Sequence, residues 1–145
     1  MQAWEIEARV AVQKLLTDYG RNVDSGRLER LAALFTEQCH YDMGGELLVD
    51  RPAILRQGER VRAMFRDAPN IGGRVRHHMT PGSIEFVSAT EAKVTSYFIT
   101  MGHSGPDHWG IYRDVVVRVD GQWLFARRVV TVEGHSADSP AAPSQ

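Results

Sequence analysis

The hydrophobic positions of this chain change their period part-way along. From Gln2 to about Asn22, Ile6, Val10, Leu15, Leu16 and Tyr19 recur at spacings of three to five, which predicts an amphipathic helix. Val23-Asp24-Ser25-Gly26 is a turn signal, and Asp24 or Ser25 is placed to cap a second helix over Arg27 to Phe35. Leu28, Leu31, Ala32, Leu34 and Phe35 form its buried side. Cys39, Tyr41 and Met43 then alternate with His40 and Asp42 as a short strand, and Gly44-Gly45 turns into a second strand, Glu46 to Val49. Arg51-Pro52 opens a third helix, with proline in the first turn where its missing N–H costs nothing. Its apolar stripe is Ile54, Val61, Met64 and Phe65, and Ala68 to Gly73 ends it.

Beyond that point the period becomes two. Strands are expected at Arg74 to Thr80, Ile84 to Val87, Ala92 to Met101, Ile111 to Val119 and Gln122 to Val132, all rich in β-branched and aromatic residues. Gly102 to His108 reads as a flexible loop, and Asp120-Gly121 as a two-residue hairpin turn. Helices first and a long antiparallel meander afterwards predict an α+β domain, its helices packed on one face of a strongly curved antiparallel sheet. Such a sheet makes a cone with one open end, whose interior is a pocket and whose natural lid is the first helix.

Composition narrows the classes. A chain of 145 residues is one domain, expected over 1–134, with the Ser-, Ala- and Pro-containing stretch 135–145 as a disordered tail. Seventeen basic against 18 acidic residues leave a net charge of -1 with no long run of one sign, so nucleic acid and anionic membranes are poor partners. The single cysteine, Cys39, excludes an intrachain disulfide and a cysteine-based metal cluster. None of the six histidines forms a metal-binding pair at helical spacing, so no metal is expected. With no leader-like start and no stretch near the ~18 apolar residues of a membrane helix, the expectation is a soluble cytoplasmic protein.

The candidate chemistry lies in Arg74-Val75-Arg76-His77-His78-Met79-Thr80. On a strand, Val75, His77 and Met79 share one face and Arg74, Arg76 and His78 the other. His77 therefore points with the apolar side chains, where an imidazole is desolvated and needs a partner, and where it can serve as a general base. His78 is a solvated surface residue. For Asp24, the capping reading and a reading as the partner of His77 both stand.

The order of these pieces resembles a known family. A helix with Tyr19-Gly-Arg-Asn-Val-Asp24, a helix with Leu31-Ala-Ala-Leu-Phe35, Arg76-His77-His78-Met79-Thr80 with Ile84 seven positions after His77, Gly110-Ile-Tyr112-Arg-Asp114, then Asp120-Gly121-Gln122-Trp123 and Arg128 look like the SnoaL-like branch of the NTF2-like superfamily. The resemblance covers nearly all of residues 4 to 133. It implies an NTF2-like cone and, as in scytalone dehydratase, bile acid 7α-dehydratase and a hexachlorocyclohexane dehydrochlorinase, a histidine–aspartate dyad, here His77 and Asp24. Tyr19, five before Asp24, matches a tyrosine that polarises substrate in the bile acid enzyme, and its plain reading is a core residue of the first helix.

The chain departs from those enzymes at Val23 and Met43, where scytalone dehydratase carries tyrosines, and at Thr100 and Val132, where the bile acid enzyme carries an aspartate and an arginine. The expected substrate-binding wall is Tyr41, Met43, Met79, Tyr97, Tyr112 and Arg128, with His103 at the mouth. Tyr97 could line the cone or support it from outside, either face of the strand bearing Tyr112 could be inward, and one of Arg127 and Arg128 is expected to meet an acid such as Asp114. The function implied is a cofactor-free, dehydratase-like lyase acting on a small hydrophobic cyclic carbonyl compound, as a homodimer or homotrimer. The alternatives are a polyketide cyclase or ketosteroid-type isomerase with the same dyad, and a non-catalytic ligand-binding or assembly subunit.

Overall fold

Glu5 starts the first helix by accepting a hydrogen bond from the Gln2 backbone N–H at 3.0 Å. In the computed structural model, which describes residues 1–68 and 75–142, helix α1 runs Ala3–Asp24. Its buried face is Ala8, Val12, Leu15, Leu16 and Tyr19. These keep to steps of three and four, whereas Ile6 and Val10, which the spacing placed on the stripe, are 54% and 67% exposed. A helix turns inward the row that meets its neighbours, and two apolar residues off that row stay outside.

Helix α2 is a single short element, Leu28–Ala32, and Phe35 begins strand β1 (Phe35–Asp42) instead of ending the helix. The cause is tertiary. Phe35 pairs with Phe125 on the last strand, and the Phe125 N–H donates to the Leu34 carbonyl at 2.8 Å. Strand β2 (Leu47–Asp50) folds back antiparallel on β1, as the glycine pair predicted. Asp50 then caps helix α3 (Arg51–Arg66) by accepting the Ala53 N–H at 2.7 Å. Of the predicted stripe on α3, Ile54 is buried and Met64 is exposed. The predicted stop of that helix lies mostly outside the described residues, as does Arg74 of the predicted strand.

The remaining strands are β3 (Arg76–Met79), β4 (Ser83–Ser88), β5 (Glu91–Gly102), β6 (Gly105–Val119) and β7 (Gln122–His135). The sheet order is β2-β1-β7-β6-β5-β3, and β3 and β4 pair in succession along the same edge of β5. The sheet is mixed, which corrects the all-antiparallel expectation: β1 lies parallel to β7. The β1–β2 hairpin is completed before the meander, so the last strand of the meander returns alongside β1 in the same direction. Register breaks in β1, β5 and β6 bend the sheet. At the one beside Gly110, an added Cβ would fall 1.9 Å from the Thr131 carbonyl oxygen, so only glycine fits.

One further expectation is corrected. The stretch Gly102 to His108 is no loop, because only His103 and Ser104 separate β5 from β6, and Gly105, at φ +118°, starts the new strand. After β7 the chain makes contacts with Asp107 of β6. The Ser136 N–H donates to the Asp107 carbonyl at 2.7 Å, and buried Ser139 donates its hydroxyl to the Asp107 carboxylate at 2.5 Å. A polar segment is held when a buried acceptor needs its donors. Residues 143–145 lie outside the described residues. Among the described residues no helix is long and apolar enough to cross a membrane.

The core is built around Arg128. This fully buried guanidinium makes a two-pronged ion pair with Asp114, 2.8 Å on each prong. Its carbon lies 4.0 Å from the ring centres of Tyr19 and Tyr112 and 4.3 Å from that of Phe125. Burial works against the charge, yet Asp114 outweighs it and holds the guanidinium pKa above its ordinary value. Arg127, one residue away on the other face, is exposed. Arg128→Met leaves the Asp114 carboxylate buried without its cation and is expected to cost about 3–5 kcal/mol, read from the denaturant midpoint. The paired change Arg128→Met with Asp114→Leu should recover much of that loss.

Candidate functional site

Helix α1 and the edge strand β3 meet at Gly20. A Cβ there would lie 2.7 Å from the Met79 Cε and 3.6 Å from the His77 Cβ, so the missing side chain is what lets the strand lie this close to the helix. One helical turn further on stands Asp24, the last residue of α1 and therefore on the same side. It is not a cap: the residue at the N-cap of α2 is Arg27, and no side chain caps that helix. Its carboxylate holds His77 at two points. Oδ1 lies 2.6 Å from the ring Nδ1, and Oδ2 accepts the His77 backbone N–H at 3.0 Å.

That grip fixes both the position and the rotation of the imidazole. A carboxylate on Nδ1 selects the tautomer with its proton there, leaving Nε2 as the nitrogen able to take a proton. The two side chains are 9% and 12% exposed. A cleft of about 330 Å³ between α1 and β3 reaches them, with Gln13, Thr17, Arg21 and Met79 among its walls. The arrangement can therefore act as an oriented base beside a cleft, and the wall around it is more polar than the expected apolar pocket.

The other predicted site residues separate into groups. Met79 stays with His77 in the cleft. Tyr19, Tyr41, Tyr112 and Arg128 meet one another in the core instead. The Tyr19 hydroxyl is hydrogen-bonded to that of Tyr41, and the ring of Tyr112 stacks on Phe98 with centres 4.4 Å apart. Burial, reinforced by Tyr19, pushes the Tyr41 and Tyr112 phenols well above their ordinary pKa, so both stay neutral. Met43 is half-buried at the β1–β2 turn, its N–H bonded to the Glu46 carbonyl at 3.0 Å. Tyr97 is 60% exposed on the outer face, because its neighbours Ser96 and Phe98 take the inner one. His103 is exposed in the β5–β6 turn. His78 is exposed, as its face predicted.

A second histidine was hidden in the supposed loop. His108, on β6, lies between the rings of Phe98 and Phe65, with centres 5.8 and 5.9 Å away. Its Nδ1 is 2.7 Å from the buried Asp107 carboxylate and its Nε2 3.3 Å from the Thr100 hydroxyl. Thr100 pairs with His77 on one side and with His108 on the other, so the three stand in one row across the sheet. Counting back by two from the inward residues Asp114 and Tyr112, through Gly110, would have placed His108 on the inner face.

The model of the SnoaL-like domain matches residues 4–129. The chain belongs to the SnoaL-like family. Among solved structures this SnoaL-like domain is similar to a protein of Novosphingobium aromaticivorans DSM 12444 provisionally assigned as a scytalone dehydratase, at 30% identity and a TM-score of 0.80, over 94% of this chain and 91% of that one. It is also similar to Rv3472 of Mycobacterium tuberculosis, of unknown function, at 25% identity and a TM-score of 0.75, over 95% and 82%. A type 2 hexachlorocyclohexane dehydrochlorinase (LinA) shares the fold at 19% identity and a TM-score of 0.74, over 92% and 90%. A search of curated proteins found no match. The expected cone of helices on a curved, unclosed sheet is the fold of this family.

Burial lowers the His108 pKa from its ordinary 6.5, with Asp107 opposing and the charges of His77 and His135 adding to the fall. Unfolded chains therefore take up this proton first as the pH drops. The stability His108 contributes is complete above pH 6.5 and is lost as the pH falls through and below that value. Thermal melts between neutral and mildly acidic pH should show a steeper decline for the native chain than for His108→Gln.

Proposed function

We propose that this SnoaL-like domain is a cofactor-free lyase that eliminates a β leaving group from a small hydrophobic cyclic carbonyl compound. The observation that carries the reading is the two-point hold of Asp24 on His77 beside an open cleft. His77 Nε2 takes a proton from the carbon next to the carbonyl, and the C–H electron pair delocalises into the enolate. The enolate re-forms the carbonyl as the β C–O bond breaks, giving a conjugated double bond and hydroxide. The His77 imidazolium then returns its proton to the departing oxygen, so the products are an enone and water. Asp24 stabilises the imidazolium between the two transfers. The similarity to the provisionally assigned scytalone dehydratase supports this class of reaction. Tyr19, tied to Tyr41 and stacked against Arg128, belongs to the frame of the site and not to the reacting groups.

A cyclase or isomerase would share the first proton transfer, and product mass separates these outcomes from loss of water. The test pairs mass spectrometry of cyclic β-hydroxyketones with deuterium exchange at the carbon beside the carbonyl in simple cyclic ketones, which needs no leaving group. His77→Ala is expected to lower both by about 100-fold or more, and Asp24→Asn to lower them in the same sense. Exchange and turnover undiminished in His77→Ala would rule out the mechanism.

A further inference from the structure

A second cleft, of about 370 Å³, opens on the neighbouring face of α1. Gln13, Thr17 and Arg21 stand in one row along the helix and wall the cleft beside His77, while Lys14, Asp18 and Asn22 stand in the next row. Arg21 borders both clefts. Arg27, Arg30, Ala33 and Leu34 supply the other wall of the second one.

The charges of this second cleft do not balance. The whole chain has 17 basic and 18 acidic residues, yet here four cations gather around one acid. That acid, Asp18, is taken by an ion pair with Lys14. Among the described residues, the exposed guanidinium groups of Arg21, Arg27 and Arg30 form no hydrogen bond and no ion pair. The Asp24 carboxylate, three residues beyond Arg21, is committed to His77. Like charges gathered without an acid repel one another, and an anion among them relieves the repulsion. The adjoining cleft differs, because the fold satisfies its polar side chains. The Gln13 amide bonds the Gly82 carbonyl and N–H at 3.0 and 3.2 Å, and the Thr17 hydroxyl donates to the Gln13 carbonyl at 3.0 Å.

We propose that Arg21, Arg27 and Arg30 hold the phosphate group of a phosphate-ester ligand whose ring lies in the adjoining cleft, against Leu16, Met79 and Pro81. The substrate of the His77 site is then a phosphorylated cyclic compound, an assignment that rests on the reading of His77 as the base. A phosphate matches the cleft in number as well as in sign. Its three terminal oxygens meet three guanidinium forks, and roughly two negative charges meet three positive ones. A single carboxylate offers half that charge and only two oxygens. Asn22, half-buried in the same cleft, adds an amide donor.

The experiment measures binding of 2-naphthyl phosphate and of 2-naphthol to the full chain by fluorescence titration, at about 0.1 M salt so that distant charges are screened. No turnover is involved, so its failure is distinguishable from failure of the proton-transfer assay. The native chain should bind the phosphate about 100-fold more tightly, from about fivefold for each of three exposed charge pairs. Arg27→Gln together with Arg30→Gln should lower that ratio to about fivefold, with an unchanged melting temperature to show that the variant is folded. Arg118→Gln together with Arg127→Gln removes the same charge from exposed positions on β6 and β7 and should leave the ratio near 100-fold, roughly its native value. Methyl NMR gives a second measurement without a variant: the Met79 methyl resonance should move with 2-naphthyl phosphate and stay put with inorganic phosphate. A native ratio below about fivefold, a ratio that survives Arg27→Gln with Arg30→Gln, or an equal loss in the distant pair overturns the proposal. So does a Met79 methyl unmoved by bound 2-naphthyl phosphate, which would make the cleft a site for free phosphate only.

Discussion

The buried charge of Arg128 constrains this molecule more than any other single group. A guanidinium with no exposed surface must be surrounded, and it is, by Asp114 and the faces of three aromatic rings. Those partners come from α1, β6 and β7, and the Tyr19–Tyr41 hydrogen bond adds β1. One ion therefore ties the first helix to the middle of the sheet. Tyr19 is the contact on α1, five residues before Asp24, so anchoring Tyr19 also fixes where the end of the helix comes to rest.

From that anchor the placement of the site follows. The middle of the sheet is covered by phenols, a guanidinium and aromatic rings, and the Asp24–His77 pair lies at the edge where β3 passes α1. Gly20 permits the close approach there, and Asp24 meets both the backbone and the ring of His77. A single carboxylate thus pins the edge strand to the helix through the His77 backbone N–H and orients the His77 ring through Nδ1. The Asp107–His108 pair repeats this logic with a different geometry, its acid adjacent in sequence and held by the segment after β7. His77, Thr100 and His108 stand in one row across the sheet, with Thr100 fully buried between the two histidines.

Legibility in the sequence varied from element to element for physical reasons. The inward direction of His77 could be read, because period two is a local property of an extended chain. Its partner could not be chosen locally, since an aspartate after a helix and before a glycine satisfies a capping pattern equally well, and only the approach of β3 decides. Arg128 was expected to meet Asp114, and does. Tyr97 failed as a pocket residue because the alternation of its strand has two possible phases, and Phe98 and Thr100 took the inner one. His108 was missed because histidine and aspartate after two glycines resemble a loop, although the alternation of the strand continues through them.

By itself the sequence determined the α+β class, the helices-then-strands order, the Asp120-Gly121 hairpin and the inward face of the strand carrying His77. Each depends on interactions among residues near one another in the chain. Tertiary structure alone decided that β1 runs parallel to β7, that Phe35 leaves its helix for a strand, that Ile6 and Val10 face outward and that Asp24 holds a histidine instead of a helix end. In each case local preference leaves more than one arrangement open, and contact with a distant part of the chain selects one of them.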